Sequence, residues 1–145
     1  MTKIEQIGAT FGYADMLAAY RTQLEHKALA PTAAIMAPRA LTGLAGMVDM
    51  TGQLLNAPRL LSSVRQLSTN GVPTNLGTGT NKSLVFVGNF STVQYVMRER
   101  LNIGVLREAY AKTGEIGFLC HARVDVVAYY PQAITVIEGV ASAAA

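Results

Sequence analysis

The stretch from Ile116 to Tyr129 limits what this chain can fold into more than any other. Its even positions are Ile116, Phe118, Cys120, Ala122, Val124, Val126 and Ala128. Its odd positions carry Gly117, Leu119, His121, Arg123, Asp125, Val127 and Tyr129. Successive side chains of a strand point to opposite faces, so a period of two gives one wholly apolar face and one mixed face. The run is long for a strand in a globular domain. A dry face of that length needs cover. The expectation is that the even face from Ile116 to Val126 is buried under the first helix, with the rest of the chain supplying neighbouring strands. On that register a carboxylate at Val124 would be buried without a partner and would unfold the protein. Truncating Arg123, on the other face, would cost less.

The rest of the chain has the means to supply cover. Of 145 residues, 50% are hydrophobic, enough for a core, and the length points to one domain. Charged residues make up 14%, below the typical quarter, which fits a surface partly hidden in a partner. The net charge of +3 is far from the dense basic footprint of a dedicated nucleic-acid binder. A lone cysteine, Cys120, forms no internal disulfide. The opening MTKIEQIGAT has no apolar run of the secretory type, and no window reaches the length of a membrane span. The expectation is a soluble, cytosolic-type protein with no membrane partner.

Read in order, residues 1–10 are a polar lead-in. Phe11 to Ala30 has helical spacing of Tyr13, Met16, Leu17, Tyr20, Leu24 and Ala28, and Pro31 marks its end. Ala33 to Ala37 reads as a buried strand. Pro38 suits the first turn of a second helix, Pro38 to Val48. Asp49 to Gly52 is a turn, and a loop runs on to Pro58. Arg59 to Ser63 fits one helical turn and Val64 to Thr69 a weak strand, closed by Asn70-Gly71. Pro73 to Ser83 is loop-like. Leu84 to Val87 reads as a short strand, and extended structure follows from Val93 to Leu106. Thr113-Gly114 turns the chain into the long strand. Pro131 ends it, Val136 to Glu138 is a last short strand, and residues 141–145 are a flexible tail. There is no internal repeat. Helix, strand, helix and then mostly strands indicate an α+β fold, with helices packed on a mixed or antiparallel sheet.

Chemistry-bearing motifs are weak. Cys120 and His121 are adjacent in a strand, so they point to opposite faces and form no dyad. A buried structural thiol is the expected role of Cys120. Two histidines and one cysteine fall short of a structural zinc set, and Asp49 alone is too little for a calcium loop. GTGTNKS, from Gly77 to Ser83, lacks the glycine before Lys82-Ser83 and the following helix that a phosphate loop needs. Asn89-Phe90-Ser91 matches a glycosylation sequon by chance. Arg98, Arg100, Arg107 and Lys112 form the most basic stretch. They fit either a solvated, salt-bridged face beside Glu99 and Glu108 or a basic inner or intersubunit surface. No catalytic residue, cofactor site, metal site or small-molecule substrate is indicated, and a structural protein fits better than a small enzyme using Cys120.

The ordered features resemble a family, the major capsid proteins of tailed phages with the HK97-type shell fold. A helix, ADMLAAYRTQLEHKAL, precedes a strand and the Pro-Arg helix start Ala37-Pro38-Arg39. Val48 to Gly52 is similar to the family's Leu-Lys-Asp-x-x-Gly region. Gly71-Val72-Pro73 and the strand end Val87-Gly88-Asn89-Phe90-Ser91 follow. Val105-Leu106-Arg107-Glu108, then Arg123 through Tyr130-Pro131-Gln132-Ala133-Ile134, complete the set.

The resemblance implies an axial domain with a long C-terminal strand, residues 1–145 matching the C-terminal half of such a protein. It implies that Asp49, Met50, Thr51, Gly52, Gln53 and Asn56 form the loop nearest a pentamer or hexamer axis. It implies a phage or prophage shell that encloses DNA without reading sequence, found in the virion and in host cytoplasm during assembly. The shell of an encapsulin compartment is the alternative. The family's N-terminal arm, hairpin arm and spine helix have no counterpart here, so the expectation is a fragment or a shortened capsid-like protein. In dilute solution it would be a monomer or form weak rings. Some members crosslink subunits through Lys, Asn and Glu. Gly114 and His121 fall at the Asn and Glu positions, so assembly should be non-covalent.

Overall fold

The computed structural model describes residues 1–5, 11–77, 79–110 and 112–141. The chain divides into two compact units, one from 1–92 with 130–145 and one from 93–129.

The first unit is a five-stranded mixed sheet with two helices. Its elements are β1 (Thr2–Glu5), α1 (Tyr13–Glu25), β2 (Ala33–Met36), α2 (Pro38–Ala45), β3 (Arg65–Ser68), β4 (Lys82–Gly88) and, from the end of the chain, a strand over Ile134–Ala141. The spatial order is β1, the C-terminal strand, β4, β2, β3. The two outer pairs are parallel and the two inner pairs antiparallel. Thr2–Glu5, read as lead-in, is thus an edge strand, and Lys3 pairs with Glu138 across it at 2.8 Å. The rest of that lead-in, 6–10, and tail residues 142–145 lie outside the described residues.

Helix α1 packs on β4 and the C-terminal strand. It buries Met16, Ala19 and Gln23 one turn apart, with Tyr13, Leu17 and Tyr20 partly covered. Leu24, expected on this face, is exposed, and Gln23 takes its place. The Gln23 Nε2 donates to the Val87 carbonyl at 2.7 Å and the Thr135 hydroxyl at 3.1 Å, so the polar group is tied to two strands. The helix stops at Glu25, ahead of Pro31. Lys27 takes a left-handed φ of 55°, and the Lys27 and Ala28 amides close back on Leu24 and Gln23. Helix α2 starts at Pro38 as expected and ends earlier than expected, at Ala45, with Gly46 as its cap. Ala40 and Leu44 join Met36, Val85, Val87, Ile137 and Val140 in the core.

Gly88 ends β4 where backbones nearly touch. A Cβ there would lie 2.6 Å from the Ala133 carbonyl oxygen. The neighbouring Asn89 is buried, with its Nδ2 donating to the Ala30 carbonyl and its Oδ1 accepting from the Ser91 amide. The apparent sequon is therefore a structural Asx turn.

The second unit is a two-stranded antiparallel ribbon of β5 (Val93–Leu106) and β6 (Gly117–Ala128), joined by a loop that includes Thr113-Gly114. The C-terminal strand becomes β7. Extended β5 and the long β6 match the alternation. Residues directly opposite share a face. Pairs Val93–Ala128, Tyr95–Val126, Met97–Val124, Ile103–Cys120 and Val105–Phe118 make one face. Gln94–Val127, Val96–Asp125, Glu99–Arg123, Asn102–His121 and Gly104–Leu119 make the other. Two bulges interrupt the register, one at Arg98 and one at Arg100–Leu101.

The expected burial of the even face under α1 is not what the fold shows. Ile116, Phe118, Val124 and Val126 are all exposed, Val126 by 61%. Alternation fixes which side chains share a face, but not whether anything lies on it. Cys120 is likewise exposed rather than buried. An acidic substitution at Val124 therefore loses its expected desolvation cost in the single chain.

Candidate functional site

The loop after α2 is closed by its own backbone. The Leu55 amide donates to Met47 at 2.8 Å, Val48 and Leu54 form an antiparallel bridge, and the Asp49 amide donates to Gln53 at 2.9 Å. The Asp49 carboxylate organises the tip. Its Oδ1 accepts from the Thr51 hydroxyl at 2.6 Å, the Thr51 amide at 2.7 Å and the Gln53 amide at 3.2 Å. These bonds favour the charged form and hold Asp49 below the usual carboxylate range, the Thr51 hydroxyl first. Gly52 takes φ +81°, a conformation open to glycine. With the polar groups turned inward on each other, Met50 stands fully in solvent, and Val48 and Leu54 are also exposed. Gln53 and Asn56 flank this tip and are exposed. The arrangement offers an apolar knob on a fixed turn. It has neither the nucleophile–base pair nor the ligand cluster that catalysis or metal binding needs.

The basic residues fall on the ribbon unit. Arg98 and Arg100 sit at the two bulges, and Arg107 and Lys112 in the loop between strands, all exposed. Among the described residues the contacts of Glu99 use other side chains. Glu99 binds His121 Nε2 at 3.1 Å and Arg123 Nε at 3.4 Å. Pairs this exposed are worth about 0–1 kcal/mol. Glu99 was singled out as a neighbour of Arg98 and Arg100, whereas the strand register gives it to the opposite strand.

The other sequence candidates stay apart. Cys120 and His121 lie on opposite ribbon faces. Lys82-Ser83 opens β4, and a bridge from Leu76 to Lys82 closes the preceding loop. Arg39 holds that loop from α2, its Nη2 donating to the Thr74 and Asn81 carbonyls. Nothing in the sequence signalled this contact beyond the Pro-Arg helix start. Among the described residues no group of three or more His, Cys, Asp or Glu could hold a metal, and no helix is long and apolar enough to cross a membrane.

Comparison with known proteins gives these surfaces a context. Solved structures with the same fold include one from Mycobacterium phage Ogopogo, with a TM-score of 0.67 at 15% identity, covering 94% of this chain and 53% of that one. The capsid of Myoviridae phage XM1 matches at 0.63 and 13% identity, over 96% of this chain and 51% of that one. The holo-SrpI encapsulin complex from Synechococcus elongatus PCC 7942 matches at 0.58 and 14% identity, over 99% and 54%. The chain thus spans about half the length of the structures it resembles. A search among curated proteins finds no significant match. The likeness establishes an α+β, HK97-like capsid fold. The model of the phage capsid family matches residues 2–139, and the chain belongs to that family.

Proposed function

We propose that this chain is a structural subunit, or the C-terminal half of one, in an icosahedral phage or prophage shell that encloses DNA. The observation that carries this reading is the family match along almost the whole chain. The two units together then correspond to an axial domain and the long final strands. The loop of Asp49, Met50, Thr51, Gly52, Gln53 and Asn56 is the ring contact. Its tip, held by the Asp49 carboxylate, presents Met50 to a neighbour on a fixed turn. Ring contacts are heterologous, one side of a subunit meeting the other side of the next. Arg98, Arg100, Arg107 and Lys112 face packaged DNA or a neighbouring subunit, as phosphate counter-charges that read no sequence. The protein acts by position, not catalysis, in the virion and, during assembly, in host cytoplasm.

An encapsulin-like compartment is the second reading, favoured by the match over 99% of the chain. Light scattering with native mass spectrometry across a concentration series tests the ring contact. Five- or six-membered rings should appear at high concentration and vanish in Met50→Asp. Rings indifferent to Met50→Asp would remove the loop from the contact. Rings that protect duplex DNA would favour the capsid, and rings indifferent to DNA the compartment.

A further inference from the structure

Asn70-Gly71 ends the weak strand as a turn, and it has a chemistry of its own. Of the asparagines in the chain only Asn70 precedes a glycine. We propose that Asn70 is a site of spontaneous modification, where the Gly71 backbone nitrogen displaces the side-chain amide and water completes conversion to aspartate and β-linked aspartate.

The step needs only the chain and water. The Gly71 nitrogen gives its proton to solvent and attacks Asn70 Cγ. A bond forms between them, the Cγ–Nδ2 bond breaks, and the amide nitrogen leaves as ammonia with a proton taken back from solvent. One water then opens the five-membered imide at either carbonyl. Opening at Cγ leaves aspartate. Opening at the Asn70 main-chain carbonyl carbon leaves the main chain running through Cγ, one methylene longer, with a carboxylate as its branch.

The fold leaves this step open. The turn follows the last pair of β3, where the Thr69 amide donates to the Met36 carbonyl at 3.0 Å. Beyond it, among the described residues, no backbone amide of residues 70–75 donates to another backbone group. Asn70 is exposed, and among the described residues its side chain makes no hydrogen bond. The Gly71 amide donates to the exposed Thr69 hydroxyl at 3.2 Å, a partner that water can replace. Rotation about the Asn70 Cα–C bond can therefore bring the nitrogen onto Cγ without breaking a ladder bond, and glycine has no Cβ to hinder the approach. Asn89 is the contrary case. It is buried, its Oδ1 accepts from the Ser91 amide and its Nδ2 donates to Ala30, so its carboxamide is fixed.

The product alters the turn. Thr69 is tied to β2, and Val72 is buried just past Gly71. An inserted methylene lengthens the span between these fixed points, and either product takes one unit from the net charge of +3. A chain that is not replaced thus carries a mark of its age beside the edge strand β3. None of this depends on assembly into a shell.

Peptide mass mapping of the full chain, aged in its folded state at neutral and mildly alkaline pH, tests the proposal. Trypsin cuts after Arg65 and Lys82, so one peptide, residues 66–82, carries Asn70 with the exposed Asn75 and Asn81 as internal controls. Asn70 should gain one mass unit at least about ten-fold faster than either control, a difference of about 1.4 kcal/mol in barrier, and faster as pH rises. The product should accept methyl groups from an isoaspartyl methyltransferase. Gly71→Ala should slow the conversion about ten-fold and leave the melting temperature unchanged, because a Cβ there meets nothing closer than the Thr69 hydroxyl at 3.5 Å. Asn70→Gln, which closes only a larger ring, is a second variant should Gly71→Ala misfold, and it should stay unconverted. Equal rates at Asn70 and Asn75, a rate unmoved by Gly71→Ala, or conversion only after unfolding in urea would each overturn the proposal.

Discussion

Strand β7 in the sheet holds Ile134, Thr135, Val136 and Ile137 out of water, whereas β6 in the ribbon leaves Phe118, Val124 and Val126 in it. Both strands are apolar, and each is paired along its length. The difference is in the layers. The sheet has five strands and two helices, and α1 covers β4 and β7 with Met16, Ala19 and Gln23. The ribbon has two strands, and both of its faces carry exposed large apolar residues. Pairing satisfies backbone groups in both regions; only the sheet gains the burial of a packed core. The sheet has a packed core, and the ribbon leaves its large apolar side chains in solvent.

Matched truncations give the largest contrast. Ile137→Ala, fully buried, should cost about 2–5 kcal/mol in urea unfolding. Val126→Ala, exposed and facing Tyr95, should cost under about 1 kcal/mol. Similar losses would erase the distinction between the regions. A smaller contrast comes from glycines. At Gly88 a methyl group meets the Ala133 carbonyl at 2.6 Å and Ile134 Cα at 3.0 Å, backbone atoms that cannot step aside, so Gly88→Ala should cost about 1–3 kcal/mol. At Gly104 the nearest atom is 3.9 Å away, and Gly104→Ala should leave the melting temperature nearly unchanged. A neutral Gly88→Ala would show that the β4–β7 end is looser than its geometry.

The smallest effect is local and depends on pH. Asp49 is held below its usual range by Thr51 and Gln53, so its folded value is lower than its unfolded one. Its contribution is present above the unfolded value and fades as pH falls through the folded one. Amide exchange at Thr51 and Gln53, corrected for intrinsic rate, should rise on acidification below the carboxylate range. The ribbon amides should not follow. Protection that is flat with pH would mean the Asp49 carboxylate does not hold the turn.

The elements were legible where one local signal dominated. Pro38 opened α2, Gly88-Asn89 closed β4, and the alternation from Ile116 gave β6 and its two faces. The reading failed where a tertiary partner decided. Gln23 looks like solvent-facing polarity on a helical wheel, yet Val87 and Thr135 draw it into the core. Lys27 ends α1 in a conformation normally left to glycine. Thr2–Glu5 becomes a strand because β7 presents an edge, a fact with no trace in its own residues. Cys120 and Val124 are exposed, and whether a face is covered is something no period of two can encode. The Asp49 turn was legible as a turn, but the knob at Met50 emerges only from the bonds around it.

On the proposed function, copies of this chain join around an axis at the Asp49 loop. Electron microscopy of the protein under crowded conditions tests it most directly. The account predicts five- or six-fold rings with residues 49–56 converging at the centre. Copies that associate instead through a tight two-fold contact burying Asp49 to Asn56 would contradict it.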